Sequence, residues 1–308
     1  MSGVGRPGWV RYNDGVRVGL STPVVVQVPG ASSAWERTAD VSELVRVAEL
    51  ADELGFDYLT CSEHIAVPVD ESARRGSTYW DPLSTLAFLG AHTKRIRLAT
   101  SVIVLGYHHP VEIAKRYGTL DRLSGGRLVL GVGVGSLAEE FRLLGAVWDG
   151  RGQRADDALR ALRASLSTPR PVYSGPHFQF CGIVVDPCAV QPRVPIWVGG
   201  RTQRSLRRAV SLADGWMPFG LRPAEIENML ATVELPDGFD VVLATGRPVD
   251  PIADAAGTVR RLSVLRRAGA TAITCAVVAE SADYFCKQLV ALRRLTSHLG
   301  DDEEREAP

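Results

Sequence analysis

The chain has 308 residues with 35 basic and 35 acidic side chains, so its formal net charge at pH 7 is zero. This balance argues against nucleic acid or an anionic membrane as a partner, and no apolar run reaches the roughly 20 residues of a membrane-spanning helix. The first residues, MSGVGRPGWVRYNDG, lack the hydrophobic core of a secretion signal. An apolar content of 45% is typical of a soluble globular protein, which we expect in the cytoplasm.

Composition predicts three parts of unequal size. Residues 1–15 are expected to form a flexible leader, residues 16–300 a single domain, and residues 301–308, DDEEREAP, an acidic tail. The five cysteines are scattered without a C-x-x-C pair, which indicates reduced thiols. The six histidines show no metal-ligand spacing, so no metal site is predicted.

In the first half of the chain, short apolar runs alternate with amphipathic helical stretches. Strands are predicted at residues 16–20, 56–61, 96–105 and 127–134. Helices are predicted between them at residues 40–54, 82–93 and 109–123. Asp40 and Glu43 have the spacing of a capping box, and Pro110 occupies a first-turn position where its missing N–H costs little.

The second half continues the same alternation. Strands are predicted at residues 196–200, 215–218, 239–244 and 272–278, and helices at 151–166, 203–213, 223–233, 254–268 and 281–299. Eight strands alternating with helices predict a parallel sheet. Because composition does not change between the halves, we expect a closed (β/α)₈ barrel, with an open doubly wound sheet as the alternative.

The run TLDRLSGGRLVLGVGVG, residues 119–135, is the most informative stretch. An apolar strand here ends in Gly131, Gly133 and Gly135, which leave the backbone bare where a flat ring or a phosphate needs close approach. The spacing is G-x-G-x-G in the middle of the chain, so it does not match the dinucleotide fingerprint G-x-G-x-x-G. We interpret it as the wall of a ligand site.

Active sites of (β/α)₈ barrels lie at the carboxyl ends of the strands. After the second predicted strand come Glu63 and His64, and His64 is the best candidate for proton chemistry because imidazole titrates near neutral pH. Two other interpretations stay open: His64 bonded to a backbone carbonyl, and Glu63 paired with an arginine. Cys61 lies within the strand and is expected in the core.

The fifth predicted strand leads through Gly199 and Gly200 directly into a helix. Such a turn exposes N–H groups at the positive end of a helix dipole, a natural anion site, to which Arg201 or Arg204 would add a charge-assisted bond. The other interpretation is a tight strand-to-helix turn without a ligand.

Several stretches together resemble the bacterial luciferase-like flavin and deazaflavin oxidoreductases. The central signature of that family is similar to TLDRLSGGRLVLGVGVG. Four further segments fit in the same order: GFDYLTCSEH, LATSVIVLGYHHPVEIAK, RGQRADDALRALRASL and VQPRVPIWVGGRTQRSLRRAVSLADGWMP. The resemblance covers roughly residues 16–297 and is specific as a combination.

The resemblance implies a (β/α)₈ barrel that binds FMN or coenzyme F420 at the strand carboxyl ends. His64 corresponds to a histidine near the reactive face of the ring, and Ser101-Val102 to a non-prolyl cis peptide behind it in many members. Three residues would lie beside the ring or ribityl chain: Val134, Gly135 and Ser136. Four would hold the phosphate: Gly199, Gly200, Arg201 and Thr202.

The function implied is hydride transfer between F420 and a small organic substrate, with His64 as proton donor or acceptor and Glu63 orienting it. Arginine-rich composition favours F420 by association, since many users of F420 have GC-rich genomes. The F420-dependent sugar-phosphate dehydrogenases carry a glutamate where this chain has Ser136, so their acid–base scheme does not transfer whole. The connection between the sixth and seventh strands holds only about one helix, shorter than in larger relatives.

Three alternatives remain at this point. The first is an FMN-dependent monooxygenase supplied with reduced flavin by a separate reductase. The second is a flavin or deazaflavin carrier without catalysis, and the third is an unrelated barrel lyase acting on a phosphorylated substrate. Because family members commonly pair through helices flanking the second and third strands, a homodimer is also expected.

Overall fold

The computed structural model describes residues 15–297. The predicted leader, apart from Gly15, and the predicted acidic tail lie outside them. The strands are β1 (Arg17–Ser21), β2 (Val26–Gln27), β3 (Tyr58–Cys61), β4 (Thr78–Tyr79), β5 (Arg97–Thr100), β6 (Ile103–Val104), β7 (Leu128–Gly133), β8 (Tyr173–Ser174), β9 (Gln179–Phe180), β10 (Ile196–Gly199), β11 (Gly215–Met217), β12 (Asp240–Ala244) and β13 (Ala272–Cys275). The α-helices are α1 (Val41–Glu53), α2 (Val69–Arg75), α3 (Pro82–His92), α4 (Pro110–Leu123), α5 (Ala138–Leu143), α6 (Arg151–Ser165), α7 (Gln203–Leu212), α8 (Pro223–Leu230), α9 (Ala255–Arg267) and α10 (Ala282–Thr296).

Parallel strands close into a barrel. The order around it is β1, β3, β5, β7, β10, β11, β12 and β13, with β13 pairing back onto β1 and β7 onto β10. An open doubly wound sheet would leave two unpaired edges, so these pairings decide between the alternatives. The predicted (β/α)₈ barrel is confirmed.

Local signals produce the helices around the barrel. The Asp40 carboxylate accepts hydrogen bonds from the N–H groups of Ser42 at 2.8 Å and Glu43 at 3.1 Å, and Glu43 accepts one from the Asp40 N–H at 3.1 Å. His109 caps α4 through its ring, which accepts from the Val111 N–H at 3.2 Å. The predicted starts of both helices are therefore confirmed, because each depends on residues within one turn.

The third predicted strand is broken in the structure. Residues 96–105 form β5 and β6, separated by a cis peptide bond between Ser101 and Val102. The Ser101 N–H donates to the Cys61 carbonyl at 2.8 Å, and the Val102 carbonyl accepts from the Glu63 N–H at 3.3 Å. The chain thus bulges at the carboxyl end of β5 while it stays bonded to the end of β3.

Short segments absent from the sequence prediction lie in the connections between barrel strands. The antiparallel pair of β2 and β4, with α2, belongs to the segments after β1 and β3, while α5 follows β7 and the pair of β8 and β9 follows α6. Between β11 and β12 the only helix is α8, as predicted. Except for the pair of β8 and β9, which follows a helix, these short segments follow strand carboxyl ends at the barrel mouth.

The barrel interior is packed below the mouth. A buried cluster fills it, made of Tyr58, Ala99, Val129, Trp197, Met217, Val242 and Ala272. The Tyr58 and Trp197 rings meet edge to face with centroids 5.2 Å apart, and the Tyr58 hydroxyl lies 2.9 Å from the Thr274 hydroxyl. Such dense packing leaves the carboxyl-end mouth as the place for a ligand.

Candidate active site

Four strand ends bring the predicted site residues to one side of the barrel. β3 pairs with β5 so that Cys61 lies opposite Thr100, β6 pairs with β7, and β7 pairs with β10. Since these strands are parallel, the residues that follow them emerge at the same rim. His64, the Ser101-Val102 peptide, the segment 134–136 and the segment 199–202 therefore surround one mouth.

His64 is held by a carboxylate from a distant part of the chain. Its Nδ1 lies 2.8 Å from Oε2 of Glu140, which belongs to α5. The ring also meets the Tyr79 ring edge to face, with centroids 4.6 Å apart. The His64 side chain keeps 16% of its surface exposed. The histidine is therefore fixed in direction but still reachable by a ligand.

Glu140 is buried and surrounded by donors. Its carboxylate accepts from the N–H groups of Ile65 at 2.5 Å and Ala66 at 3.2 Å and from the Tyr107 hydroxyl at 2.7 Å. Burial disfavours its charged form, but the hydrogen bonds from His64, Tyr107 and Ala66 outweigh burial and lower the pKa of Glu140. An ionised Glu140 holds the His64 proton on Nδ1, which leaves Nε2 as the nitrogen available for proton exchange.

Glu63 has a different partner from the one that the sequence suggested. Its carboxylate lies 2.7 Å from His108 Nε2 and accepts from the Val104 N–H at 2.6 Å. The expectation that Glu63 orients His64 is therefore corrected, and the arginine alternative does not apply, since the partner is a histidine. Consecutive residues of extended chain point to opposite sides, which separates the side chains of Glu63 and His64. Glu63 instead ties the end of β3 to β6 and to the start of α4.

The pair of Glu63 and His108 makes stability depend on pH. Burial disfavours the charged imidazole, but the hydrogen bond and charge of Glu63 outweigh burial and raise the pKa of His108. A raised pKa stabilises the fold below the unfolded value of about 6.5, and this contribution is lost as pH rises through the folded pKa. Between pH 6 and pH 9 we expect this pair to lower the free energy of unfolding of the wild type by about 1–2 kcal/mol. His108→Gln should remove that decrease. Urea unfolding at pH 6 and pH 9 checks this. The same decrease in the variant as in the wild type would contradict it.

Protein atoms occupy the space beside Gly131, Gly133 and Gly135. A Cβ atom at Gly131 would overlap the Thr100 carbonyl oxygen, and one at Gly133 would lie 2.8 Å from Val102 Cγ2. Gly135 has φ +80°, and a side chain there would meet Phe141. The prediction that these glycines make direct room for a ring is therefore wrong. Gly131 and Gly133 make room for the bulge at Ser101-Val102, which forms the wall facing the mouth, while Gly135 makes room for Phe141.

The turn before α7 has the form of an anion site. Thr202 caps the helix by accepting from the Ser205 N–H at 3.2 Å, while Arg201 and Thr202 are exposed. Gly200 has φ +140°, a conformation that favours glycine, and its carbonyl accepts from the Trp216 indole at 3.1 Å. The first N–H groups of a helix have no carbonyl partner within it. The turn therefore offers donors beside a positive helix end.

Further side chains at the mouth went unnoticed in the sequence. Arg75 of α2 lies 3.3 Å from the Ser136 hydroxyl, and Arg151 donates to the Gly135 carbonyl at 3.3 Å. Met217 lies 3.4 Å from the Ser101 hydroxyl. Glu140 was missed as well, although its place in GSLAEEF directly after a strand end was a weak signal. Cys61 is buried in β3 as predicted, and burial raises its pKa to about 12.

The comparison with protein families decides the identity of this barrel. Residues 16–256 match the model of the luciferase-like monooxygenases. The chain belongs to the luciferase-like monooxygenase family. It is therefore an oxidoreductase by family, and the resemblance seen in the sequence is confirmed.

Among residues 15–297 there is no cluster of histidine, cysteine and acidic side chains that could hold a metal ion. None of the helices in that range is both long and apolar enough to cross a bilayer.

Similar proteins include an uncharacterized protein and two enzymes with different activities. An uncharacterized protein of Mycobacterium tuberculosis is 31% identical over 218 residues, which are 65% of this chain and 73% of that protein. An F420-dependent glucose-6-phosphate dehydrogenase of Microbacterium testaceum is 28% identical over 215 residues, 68% of this chain and 62% of the relative. A 4-hydroxyprotoasukamycin monooxygenase of Streptomyces nodosus is 36% identical over 128 residues, 42% of this chain and 33% of the relative.

Solved structures share the fold at low sequence identity. A long-chain alkane monooxygenase superposes with a TM-score of 0.73 at 14% identity, covering 94% of this chain and 92% of that chain. An F420-dependent secondary alcohol dehydrogenase in complex with an F420–acetone adduct gives a TM-score of 0.68 at 14% identity, covering 90% and 99%. At this identity the likeness supports the barrel architecture alone.

Proposed function

We propose that this protein transfers a hydride between coenzyme F420 and a small organic substrate. The observation that carries the proposal is His64, held at the barrel mouth by the buried carboxylate of Glu140. An F420-dependent dehydrogenase among the relatives supports the choice of cofactor. The position of His64 beside the wall at Val102 suits a group that exchanges protons next to a flat ring.

The residues present fit a deazaflavin. The ring would pack against the bulge at Ser101 and Val102, and the ribityl chain would pass Val134, Gly135 and Ser136. Its phosphate would lie on the turn before α7, formed by Gly199, Gly200, Arg201 and Thr202, beside the N-terminus of the helix. Arg151 at the start of α6 and Arg204 in α7 add positive charge beside that turn. These assignments rest on the N-terminus of α7 and on the bulge at the mouth.

The chain's own residues carry the proton and shape the site. When bound, the deazaflavin supplies the hydride chemistry. Glu140 keeps the His64 proton on Nδ1 and stabilises the imidazolium when Nε2 takes up a second proton from the substrate. In the opposite direction, Nε2 donates that proton. Tyr79 packs against the His64 ring and restricts its movement.

An FMN-dependent monooxygenase is the second candidate function. It is favoured by the 36% identity to 4-hydroxyprotoasukamycin monooxygenase over 128 residues. In that case the same turn would hold the FMN phosphate, and a separate reductase would supply reduced flavin.

The homodimer, the cytoplasmic location and the single domain over residues 16–300 remain predictions for either function.

Titration of the purified protein with F420 and with FMN, followed by fluorescence quenching, tests the choice of cofactor. We expect saturable binding of F420 with at least about tenfold higher affinity than FMN, a difference of about 1.4 kcal/mol. Tight FMN binding without a response to F420 would support the second candidate. Binding without turnover over a broad substrate panel would indicate a carrier, and no affinity for either cofactor would contradict both candidate functions. The match to the luciferase-like family argues against the unrelated lyase.

A further inference from the structure

A cleft of about 230 Å³ runs along the outer surface between α6 and α7. Four arginines line it together with one acidic side chain: Arg160, Arg204, Arg207, Arg208 and Asp156. We call these five residues the arginine groove. Its composition contrasts with the whole chain, in which acidic and basic side chains are equal in number.

Most of the charge in the arginine groove is not neutralised by the protein. Arg208 is buried, pairs with Asp156 and donates to the Gly152 carbonyl at 3.0 Å. Arg160, Arg204 and Arg207 are exposed and have no salt bridge to a carboxylate within residues 15–297. Some exposed arginines elsewhere do pair with a carboxylate three or four residues away, as Arg116 does with Glu112, Arg142 with Glu139 and Arg222 with Glu225. The groove therefore keeps a surplus of positive charge.

Helix electrostatics make this arrangement unfavourable in the free protein. α7 (QRSLRRAVSL) contains no acidic residue, and Arg204 lies in its first turn, where the helix dipole disfavours a cation. Arg204 also lies three and four residues before Arg207 and Arg208, spacings at which like charges repel. The first turn of α6 has no acidic residue either. A bound polyanion would relieve both effects.

The groove starts at the proposed phosphate site. Arg204 follows the cap residue Thr202 by two positions, and its guanidinium carbon would lie 3.4 Å from a Cβ atom at Gly152, in the first turn of α6. From there Arg207 and Arg208 continue down α7. A chain of anions that leaves the turn at Gly200 would therefore meet Arg204 first and then the rest of the groove.

We propose that the arginine groove binds the oligoglutamate tail of F420. This inference rests on the proposed function and deepens it. F420 continues beyond its phosphate as a chain of carboxylates, whereas FMN ends at the phosphate, so only F420 places anions along α7. Guanidinium groups bind carboxylates through paired hydrogen bonds. The groove would thus distinguish the two cofactors at a distance from the ring.

The test compares F420 carrying a long glutamate tail with the tail-less form that keeps the phosphate. We expect the long form to bind the wild-type protein about tenfold more tightly at low ionic strength, the effect of a few exposed ion pairs. This gain should shrink to about twofold in the double variant Arg160→Gln/Arg207→Gln and should be screened by salt. Arg267→Gln, an exposed arginine on α9, is the matched control and should keep the full gain.

Three results would overturn the inference, and they can be told apart. Equal affinity of the wild type for both forms of F420 would overturn it while leaving F420 as the cofactor. Binding of FMN without binding of either F420 form would overturn both the inference and the proposed function. A tail-dependent gain that survives in the double variant would place the tail elsewhere and also contradict it.

Discussion

Replacement of His64 with alanine is expected to reduce turnover about 100- to 10,000-fold, the range contributed by a positioned general acid or base. The affinity for F420 should stay within about twofold, because the proposed contacts that hold the cofactor lie on the bulge at Ser101-Val102 and on the turn before α7. Single-turnover absorbance of the deazaflavin, with a substrate found from a panel of small organic compounds, measures the rate. Fluorescence titration measures the affinity.

Two further variants define the role of His64. His92→Ala is the matched control, because His92 lies on α3 at the outer surface with its nearest carboxylate, Glu49, at 3.7 Å, and its turnover should equal that of the wild type. Glu140→Gln keeps the shape of the side chain but removes the charge that stabilises the imidazolium. Its turnover should therefore fall, while its affinity for F420 stays close to that of the wild type. Wild-type turnover in His64→Ala would contradict the proposed proton transfer.

Replacement of Gly131 with alanine is expected to destabilise the protein by about 3 kcal/mol or more, at the upper end of overpacking effects. The added methyl group would overlap the carbonyl oxygen of Thr100 in a fully buried part of the barrel. The Gly131 carbonyl also accepts from the Thr100 hydroxyl at 2.7 Å, so neither strand can shift without breaking this bond. Urea unfolding followed by circular dichroism measures the free energy of unfolding.

Gly15→Ala serves as the control for this substitution, because no atom lies within 4 Å of a Cβ built at Gly15. It should change the free energy of unfolding by less than about 1 kcal/mol. If Gly131→Ala were as stable as this control, the contact between β5 and β7 would not be needed for the barrel. The bulge at Ser101-Val102 would then lose its structural explanation.

Local sequence signals predicted most of the barrel elements because they act within one turn or one strand. The capping box of Asp40 and Glu43 and the proline after His109 start their helices as expected. Short pieces such as α2 and the pair of β2 and β4 escaped prediction. They hold too few residues for a periodic pattern, and contacts with distant segments stabilise them: the Trp80 N–H, next to β4, donates to the Val25 carbonyl at 2.9 Å.

The candidate site was predicted by strand position and only partly by partner. Strand position predicted that His64 and the turn before α7 lie at the same rim, because both follow the carboxyl ends of parallel barrel strands. The carboxylate partner of His64, Glu140, is 76 residues away along the chain, and no local pattern connects the two residues. The neighbouring carboxylate, Glu63, was the natural sequence-based choice, yet strand geometry directs it to His108.

The sequence by itself determined the alternation of strands and helices, the family and the positions of bare backbone in β7. These depend on periodicity, caps and motifs that neighbouring residues carry. Only the tertiary structure decided what occupies the space beside Gly131 and Gly133, and which acid holds His64. Both questions concern contacts between strands and helices far apart in the chain, and those contacts exist only after the barrel has closed.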